Sequence, residues 1–182
     1  MTDAKESMAK RISFRRVRKD DLEMICRWWN DSSVMKYLGV VGYHPTLKEL
    51  RENYWPLWSH PGPGDFQMFI LCLDEKAVGE IGYRLTDAEN GVADFNIKNF
   101  RKDLWGRGIG TAAMRKFLRF IFARRGVKKI TAGIREENLP GLSLYRRMGF
   151  RETAKYSFEG TEAVEGGIAV QMELSAKEFF GE

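Results

Sequence analysis

The sequence predicts an α+β fold in which a mixed sheet is covered by helices, and three observations lead there. Residues 66–100 hold three consecutive runs of period-two apolar residues separated by tight-turn signals, the pattern of an antiparallel meander. Helical and strand periodicities alternate on either side, giving the order strand, two helices, three strands, helix, strand, helix, two strands. The 182 residues, with 43% hydrophobic content, suffice to fill one core.

The first ten residues, MTDAKESMAK, mix charges without an apolar stretch and are expected to fray ahead of a single domain over residues 11–178. ISFRRV at 12–17 alternates apolar and basic residues as a half-exposed strand does. Asp20 and Asp21 then supply an N-cap signal for a helix reaching Asn30. A second helix is expected from Thr46, with Glu49 as its capping-box partner, to about Trp58, where HPGPG at 60–64 breaks it. FQMFILCLD, AVGEIGYRL and VADFNIKNF are the meander strands, turning at Glu75 and Lys76 and again around Asn90 and Gly91. Ile109, Ala113, Phe117 and Ile121 recur at helical spacing, so an amphipathic helix runs to about Arg124 and stops at Gly126. KKITAGI at 128–134 reads as a strand, and Asn138 and Pro140 announce a helix through Arg147 that Gly149 ends. RETAKYSFE and GIAVQMELS are the closing strands.

Thirty Lys and Arg against 25 Asp and Glu leave a net charge of +5, an excess equally compatible with an anionic ligand, nucleic acid or solubility. Cys26 and Cys72 lie in apolar stretches without metal-like spacing, which argues against a disulfide framework or zinc site and fits a reducing cytoplasm. His44 and His60 are the only histidines, so a multi-histidine metal centre is not expected. The longest apolar runs, such as FILCL at 69–73, are far too short to cross a bilayer. A soluble protein without a membrane partner or a metal is therefore expected.

Between Leu104 and Met114 the chain reads LWGRGIGTAAM. A strand ending near Phe100, then glycines, then a long helix would set free backbone N–H groups at the positive end of a helix dipole, a site that favours phosphate. Glycine at 106, 108 and 110 lets the backbone approach a ligand closely. A nucleoside-triphosphate loop would need a lysine where Thr111 follows Gly110. A dinucleotide loop would need a glycine where Thr111 stands three past Gly108, and an acid where Lys128 and Lys129 stand some twenty residues on. Viewed alone, the loop also suits a turn that only tightens a strand-to-helix join.

Taken with NLPGLSLYRRMGF at 138–150, the loop resembles the GNAT superfamily of acetyl-CoA-dependent N-acetyltransferases, whose pyrophosphate loop reads Gln/Arg-x-x-Gly-x-Gly/Ala. Trp105, Gly108 and Gly110 occupy its three defined positions. Trp105 departs from the usual Gln or Arg, and its Trp-Gly-Arg-Gly run is similar to the branch holding ribosomal-protein N-terminal, polyamine and aminoglycoside acetyltransferases. Asn138, Tyr145, Gly149 and Phe150 match the second motif, an Asn seven residues before Tyr-x-x-x-Gly-Phe. Pro140 and Gly141 depart from the family's usual pattern after that Asn. The resemblance covers about residues 11–175 and implies a mostly antiparallel central sheet of about seven strands flanked by about four helices.

It also implies the site. Backbone N–H groups across Gly106, Arg107, Gly108, Ile109, Gly110 and Thr111 would hold the pyrophosphate of acetyl-CoA, the co-substrate, with Arg107 adding a charge contact. Lys98, Asn99 and Phe100 would end the strand whose exposed backbone pairs with the pantetheine arm and offers one N–H to the thioester oxygen. Tyr145 matches the tyrosine that protonates the coenzyme A thiolate. Asp94, eleven residues before Trp105, stands at the offset where histone-type members place a glutamate base, and Glu80 on the preceding strand is its rival. Asn138 suits a helix cap, a cofactor contact or both.

The acceptor implied is a small-molecule amine or a peptide N-terminus. Trp28, Trp29, Tyr54, Trp55 and Trp58 mark an aromatic-rich region that suits receiving a cation and suits an ordinary core equally. The family often forms dimers, which leaves a homodimer as an option. Two other classes stand beside this reading. FRRVRK, ARRGVKK and YRRMGF would serve a basic nucleic-acid-binding module, but they fall on different elements without interleaved aromatics, so nucleic acid is not the expected partner. A non-catalytic acetyl-CoA sensor would keep the loop without turnover.

Overall fold

The computed structural model describes residues 8–36, 44–62, 64–161 and 165–181. A helical turn over 8–11 precedes β1 (Ile12–Arg16), which leads through a 3-10 turn at Lys19–Asp21 into α1 (Leu22–Trp29). After α2 (Ser32–Met35), a helical run joins α3 (Leu47–Glu49), a π-helical stretch at Leu50–Tyr54, and α4 (Trp55–Ser59). The meander is β2 (Gln67–Leu73), β3 (Lys76–Asp87) and β4 (Val92–Asn99). A 3-10 turn at Lys102–Leu104 opens onto α5 (Ile109–Arg124), then β5 (Lys129–Arg135) and α6 (Leu139–Arg147). The chain closes with β6 (Arg151–Phe158), β7 (Gly167–Ser175) and α7 (Ala176–Phe180).

All seven strands join one sheet in the order β1-β2-β3-β4-β5-β7-β6. Its pairings are antiparallel except that of β4 with β5, which α5 makes feasible by carrying the chain back to the starting end. The parallel contact is short, pairing Val92, Ala93 and Asp94 with Lys129, Ile130 and Thr131. Beyond Asp94, β4 continues against β3 to Asn99 while β5 continues against β7. The two strands part at Asp94, and among the described residues the β5-side edge of Phe95–Asn99 has no strand beside it.

Helices cover both faces. On one, Phe117, Leu118 and Ile121 of α5 and Leu142 and Tyr145 of α6 pack on Phe95, Ile130 and Met172. On the other, Leu22, Ile25 and Trp29 of α1 join Leu50 and Trp58 against Ile70 and Cys72. β2 divides its side chains between these clusters, which explains why its sequence reads as a continuous apolar run rather than an alternation. Among the described residues no helix is long and apolar enough to cross a membrane.

Local signals are used with some changes. The capping box at Thr46 forms, Thr46 N–H donating to Glu49 Oε2 at 2.7 Å and Glu49 N–H to Thr46 Oγ1 at 3.2 Å. Asp21 does not cap α1: its carboxylate accepts from Arg18 N–H at 2.7 Å and from Arg15 at 2.6 and 2.7 Å. The guanidinium of β1 is a stronger partner than a helix amide, so the acid holds the 3-10 turn instead. The β2–β3 turn sits at Asp74 and Glu75, one residue before the expected pair. Their φ values of 48° and 63° make the left-handed two-residue turn that suits strand twist. The short α2 and α7 fall where no periodic pattern predicted a helix, and α7 is opened by a Ser175–Glu178 capping box. Of the segment expected to fray, residues 1–7 lie outside the described residues.

Candidate active site

At the end of β4 the backbone, more than the side chains, shapes the surface. Gly106 and Gly108 take φ values of 75° and 81°, a region that penalises any residue with a Cβ. Gly108 is the N-cap of α5, whose first internal bond runs from Ala112 N–H to Gly108 O at 3.0 Å. The amides of residues 109–111 therefore have no place in the helical ladder and stand at the positive end of a 16-residue helix. A Cβ added at Gly106 or Gly108 would meet nothing within 4 Å, so torsion, not crowding, selects glycine there. Gly110 has another role: its added Cβ would lie 3.4 Å from Leu144 Cδ2, where α5 packs on α6.

The amides open into a cavity of about 550 Å³. Of the residues singled out in the sequence, Lys98 and Asn99 on β4, Trp105, Gly106, Gly108, Ile109, Gly110 and Thr111 on the loop and helix, and Asn138 on the far wall line it. Phe100 and Arg107 do not. Phe100 N–H donates to Val78 O at 3.0 Å and its ring stacks on Trp28, 4.9 Å between centroids, on the opposite side of the sheet. The Arg107 side chain is exposed. Trp105 donates its indole N–H to Asn99 O at 2.9 Å, tying the loop to the strand end. Asn138 caps α6 by accepting from Gly141 N–H at 3.0 Å while lining the cavity, so the cap and the wall are one residue.

The sequence reading missed Val34, Leu104, Ser143, Leu144 and Arg147, which also line the cavity. Ser143 and Arg147 are one turn apart on α6, and Arg147 donates to Ser143 Oγ at 2.5 Å. Their i, i+4 spacing was visible, but it reads equally as an ordinary solvated helix face.

Where β4 and β5 part, two acids meet. Tyr145 is buried, its ring set edge-on to Phe150 at 4.9 Å and its hydroxyl donating to Phe95 O at 3.4 Å, a long bond. Burial, then the charge of Asp94, pushes its phenol well above the usual tyrosine range. Burial also pushes the Asp94 carboxyl up, against the opposing pull of the Arg84 guanidinium across the β3–β4 pair and of Phe95 N–H. Glu80 is only 2% exposed, and both its oxygens are engaged, by Lys98 Nζ at 2.5 Å and Trp29 Nε1 at 2.9 Å. Between Asp94 and Lys98, the side-chain oxygen of Asn96 is buried without a protein hydrogen-bond partner.

The family described as "Acetyltransferase (GNAT) domain" matches residues 11–151, most of the chain. The chain belongs to the GNAT acetyltransferase family. It is an acetyl-CoA-dependent N-acetyltransferase, and acetyl-CoA is its co-substrate. Among similar GNAT proteins is an uncharacterized N-acetyltransferase, p20, of Bacillus licheniformis, 23% identical over 145 residues that span 79% of this chain and 80% of the relative. An aminoglycoside N(6')-acetyltransferase type 1 of Klebsiella pneumoniae is 24% identical over 178 residues, 92% of this chain and 85% of that one. A crystal structure of spermidine N-acetyltransferase from Vibrio cholerae, in complex with CoA and spermine, superposes with a TM-score of 0.82 over 94% of this chain and 99% of the other. At 19% identity that likeness concerns the GNAT fold.

Proposed function

We propose that this enzyme acetylates a primary amine of a small molecule by direct attack in a ternary complex, with Asp94 and Tyr145 handling the protons. The observation that carries the reading is the parting of β4 from β5 at Asp94, with the Tyr145 hydroxyl and the Asp94 carboxyl at the fork. Acetyl-CoA supplies the thioester. The outward amides of residues 109–111 and the left-handed turn at Gly106 and Gly108 suit a pyrophosphate without any side-chain charge. Along residues 95–99 the edge of β4 with no strand beside it offers, between the Phe95 and Asn99 carbonyls taken by Tyr145 and Trp105, donors and acceptors to the amide groups of a pantetheine arm, in the manner of an added strand. One amide of that edge directed at the thioester oxygen would lower the barrier by about 3 kcal/mol.

An alkyl ammonium has a pKa of about 10.4, so a proton must leave before the nitrogen can attack. Asp94 takes it. The burial that raises its pKa makes it a stronger base than a carboxylate in water, while its protonation then begins at higher pH. Tyr145 gives a proton to the departing sulfur, and its raised pKa keeps that proton in place until the thiolate forms. The acceptor is a cationic amine of the aminoglycoside or polyamine kind, the classes named in two of the similar proteins. Half-buried Trp28, Tyr54 and Trp55 beside the α1 and α4 helices offer such cations aromatic faces.

A coenzyme A release assay against spermidine, an aminoglycoside, free amino acids and short peptides tests this reading. Thiol release with a polyamine or an aminoglycoside is expected. Release with peptides alone would move the acceptor to protein N-termini, and tight acetyl-CoA binding without release from any amine would leave a sensor.

A further inference from the structure

Glu80 was a rival to Asp94 as base, and its surroundings give it different work. Beyond Asp94, β4 is strand-paired on one side only, by β3, with Ile97 against Ile81, Lys98 against Glu80 and Asn99 against Gly79. A strand tail paired on a single edge is freer than one held on both. At that tail the directly opposed Lys98 and Glu80 form an ion pair at 2.5 Å, with side chains 15% and 3% exposed. The second Glu80 oxygen accepts the indole N–H of Trp29 at 2.9 Å, and the Lys98 ammonium lies 5.0 Å from the centroid of the same indole. Trp29 is itself set edge-on against Tyr54 at 5.2 Å and Trp58 at 5.7 Å. Three groups from α1, β3 and β4 thus close on one another, and Lys98 also lines the cofactor cavity.

We infer that Glu80 is a positioning residue: through Lys98 it fixes the free tail of β4 that faces the thioester, and through Trp29 it holds the acceptor-side helix α1 in register with that tail. This rests on the acetyl-transfer reading above. The physical reason is that a buried ion pair tolerates little displacement. Each partner is desolvated, so separation exposes an uncompensated charge to a weakly polar surrounding. Both Glu80 oxygens are already engaged, by Lys98 and Trp29, which suits holding its neighbours.

The test compares Glu80→Gln, Lys98→Met and the double variant in the full chain, with Trp29→Phe as a milder probe that keeps a ring and removes the N–H. Circular dichroism and melting curves confirm folding, calorimetry gives the acetyl-CoA Kd, and steady-state rates with an accepted amine give kcat, KM and the pH profile. Each single substitution should weaken acetyl-CoA binding several-fold and lower kcat about tenfold to a hundredfold, as expected when reacting groups are misplaced by about an ångström. The double variant should be no worse than the poorer single one, because no unpaired charge remains. The acidic limb of the pH profile should keep its midpoint in Glu80→Gln. Loss of that limb would make Glu80 the base and overturn the inference, as would unchanged Kd and kcat in the single variants, or single effects that multiply in the double. Absence of turnover in the unsubstituted protein would count against acetyl transfer instead, while the Kd comparison would still decide the role of Glu80 in placing β4.

Discussion

The two sides of the sheet meet at the tail of β4 and are made of different materials. On the α5 and α6 side the cavity wall includes backbone without helical or strand partners: amides of residues 109–111, two left-handed glycines, and the edge of β4 that has no strand beside it. On the α1 to α4 side, from which Val34 alone of the described residues lines the cavity, the packing is side chain against side chain. Trp29, Tyr54 and Trp58 touch edge-on or tilted with centroids 5.2 to 5.7 Å apart, Trp28 stacks on Phe100, and Glu80 is enclosed by its donors. A phosphate cradle written in backbone torsions needs glycine and a helix start but few particular side chains, so Trp105 can stand where the GNAT loop pattern has Gln or Arg. If the α1 to α4 side receives the amine, as proposed, a surface written in side chains would change with every substitution, so that one fold could serve many amines.

Substitutions on the two sides should therefore fail in different ways. The largest loss is expected from Tyr145→Phe, which removes the proton for the departing thiolate. Turnover should fall by about 10²–10⁴-fold, with the acetyl-CoA Kd nearly unchanged by calorimetry. Asp94→Asn should follow with a loss of about 10²-fold. Because burial raises the Asp94 pKa, the native rate should decline as pH drops through a value above the ordinary carboxylate range, and the variant should lack that limb. The sign for stability is opposite: a carboxyl raised in the folded state favours folding at low pH and loses that contribution as pH rises through the folded pKa. Asp94→Asn should thus melt slightly higher than the native protein at neutral pH, which a pair of thermal scans would check.

Trp28→Phe on the acceptor side should change the amine KM several-fold and leave the acetyl-CoA Kd alone. Equal effects on both would erase the division between the two sides. The smallest effect is expected at Thr46→Ala, where losing the capping box should cost about 1 kcal/mol of stability in denaturant titration without altering either Kd or kcat.

The same division explains what was legible in the sequence. The glycine loop, α5, α6 and the Asn138 cap follow from torsional and capping rules that act within a few residues, and they lie where the motif reading expected them. Alternation along β4 put Asp94, Asn96 and Lys98 on one face. It did not reveal that Phe100, just past the strand end, gives its N–H to Val78 and its ring to Trp28. The grip of Trp29 on Glu80 joins residues 51 apart and has no local signature. Val34 reaches the cavity from a four-residue helix too short to display a period. Local conformational preferences could be read directly; contacts made by tertiary packing could not.

Calorimetric titration of acetyl-CoA into the native protein and Gly108→Val tests most directly whether the backbone at residues 106–111 holds acetyl-CoA, as proposed. At a φ of 81° a β-branched residue would cost about 1–3 kcal/mol or force the turn open, turning the amides away from the pyrophosphate. One-site binding to the native protein is expected, with affinity weakened about tenfold or more in the variant and the circular dichroism of the sheet unchanged. Equal affinity in the two proteins would contradict the proposal.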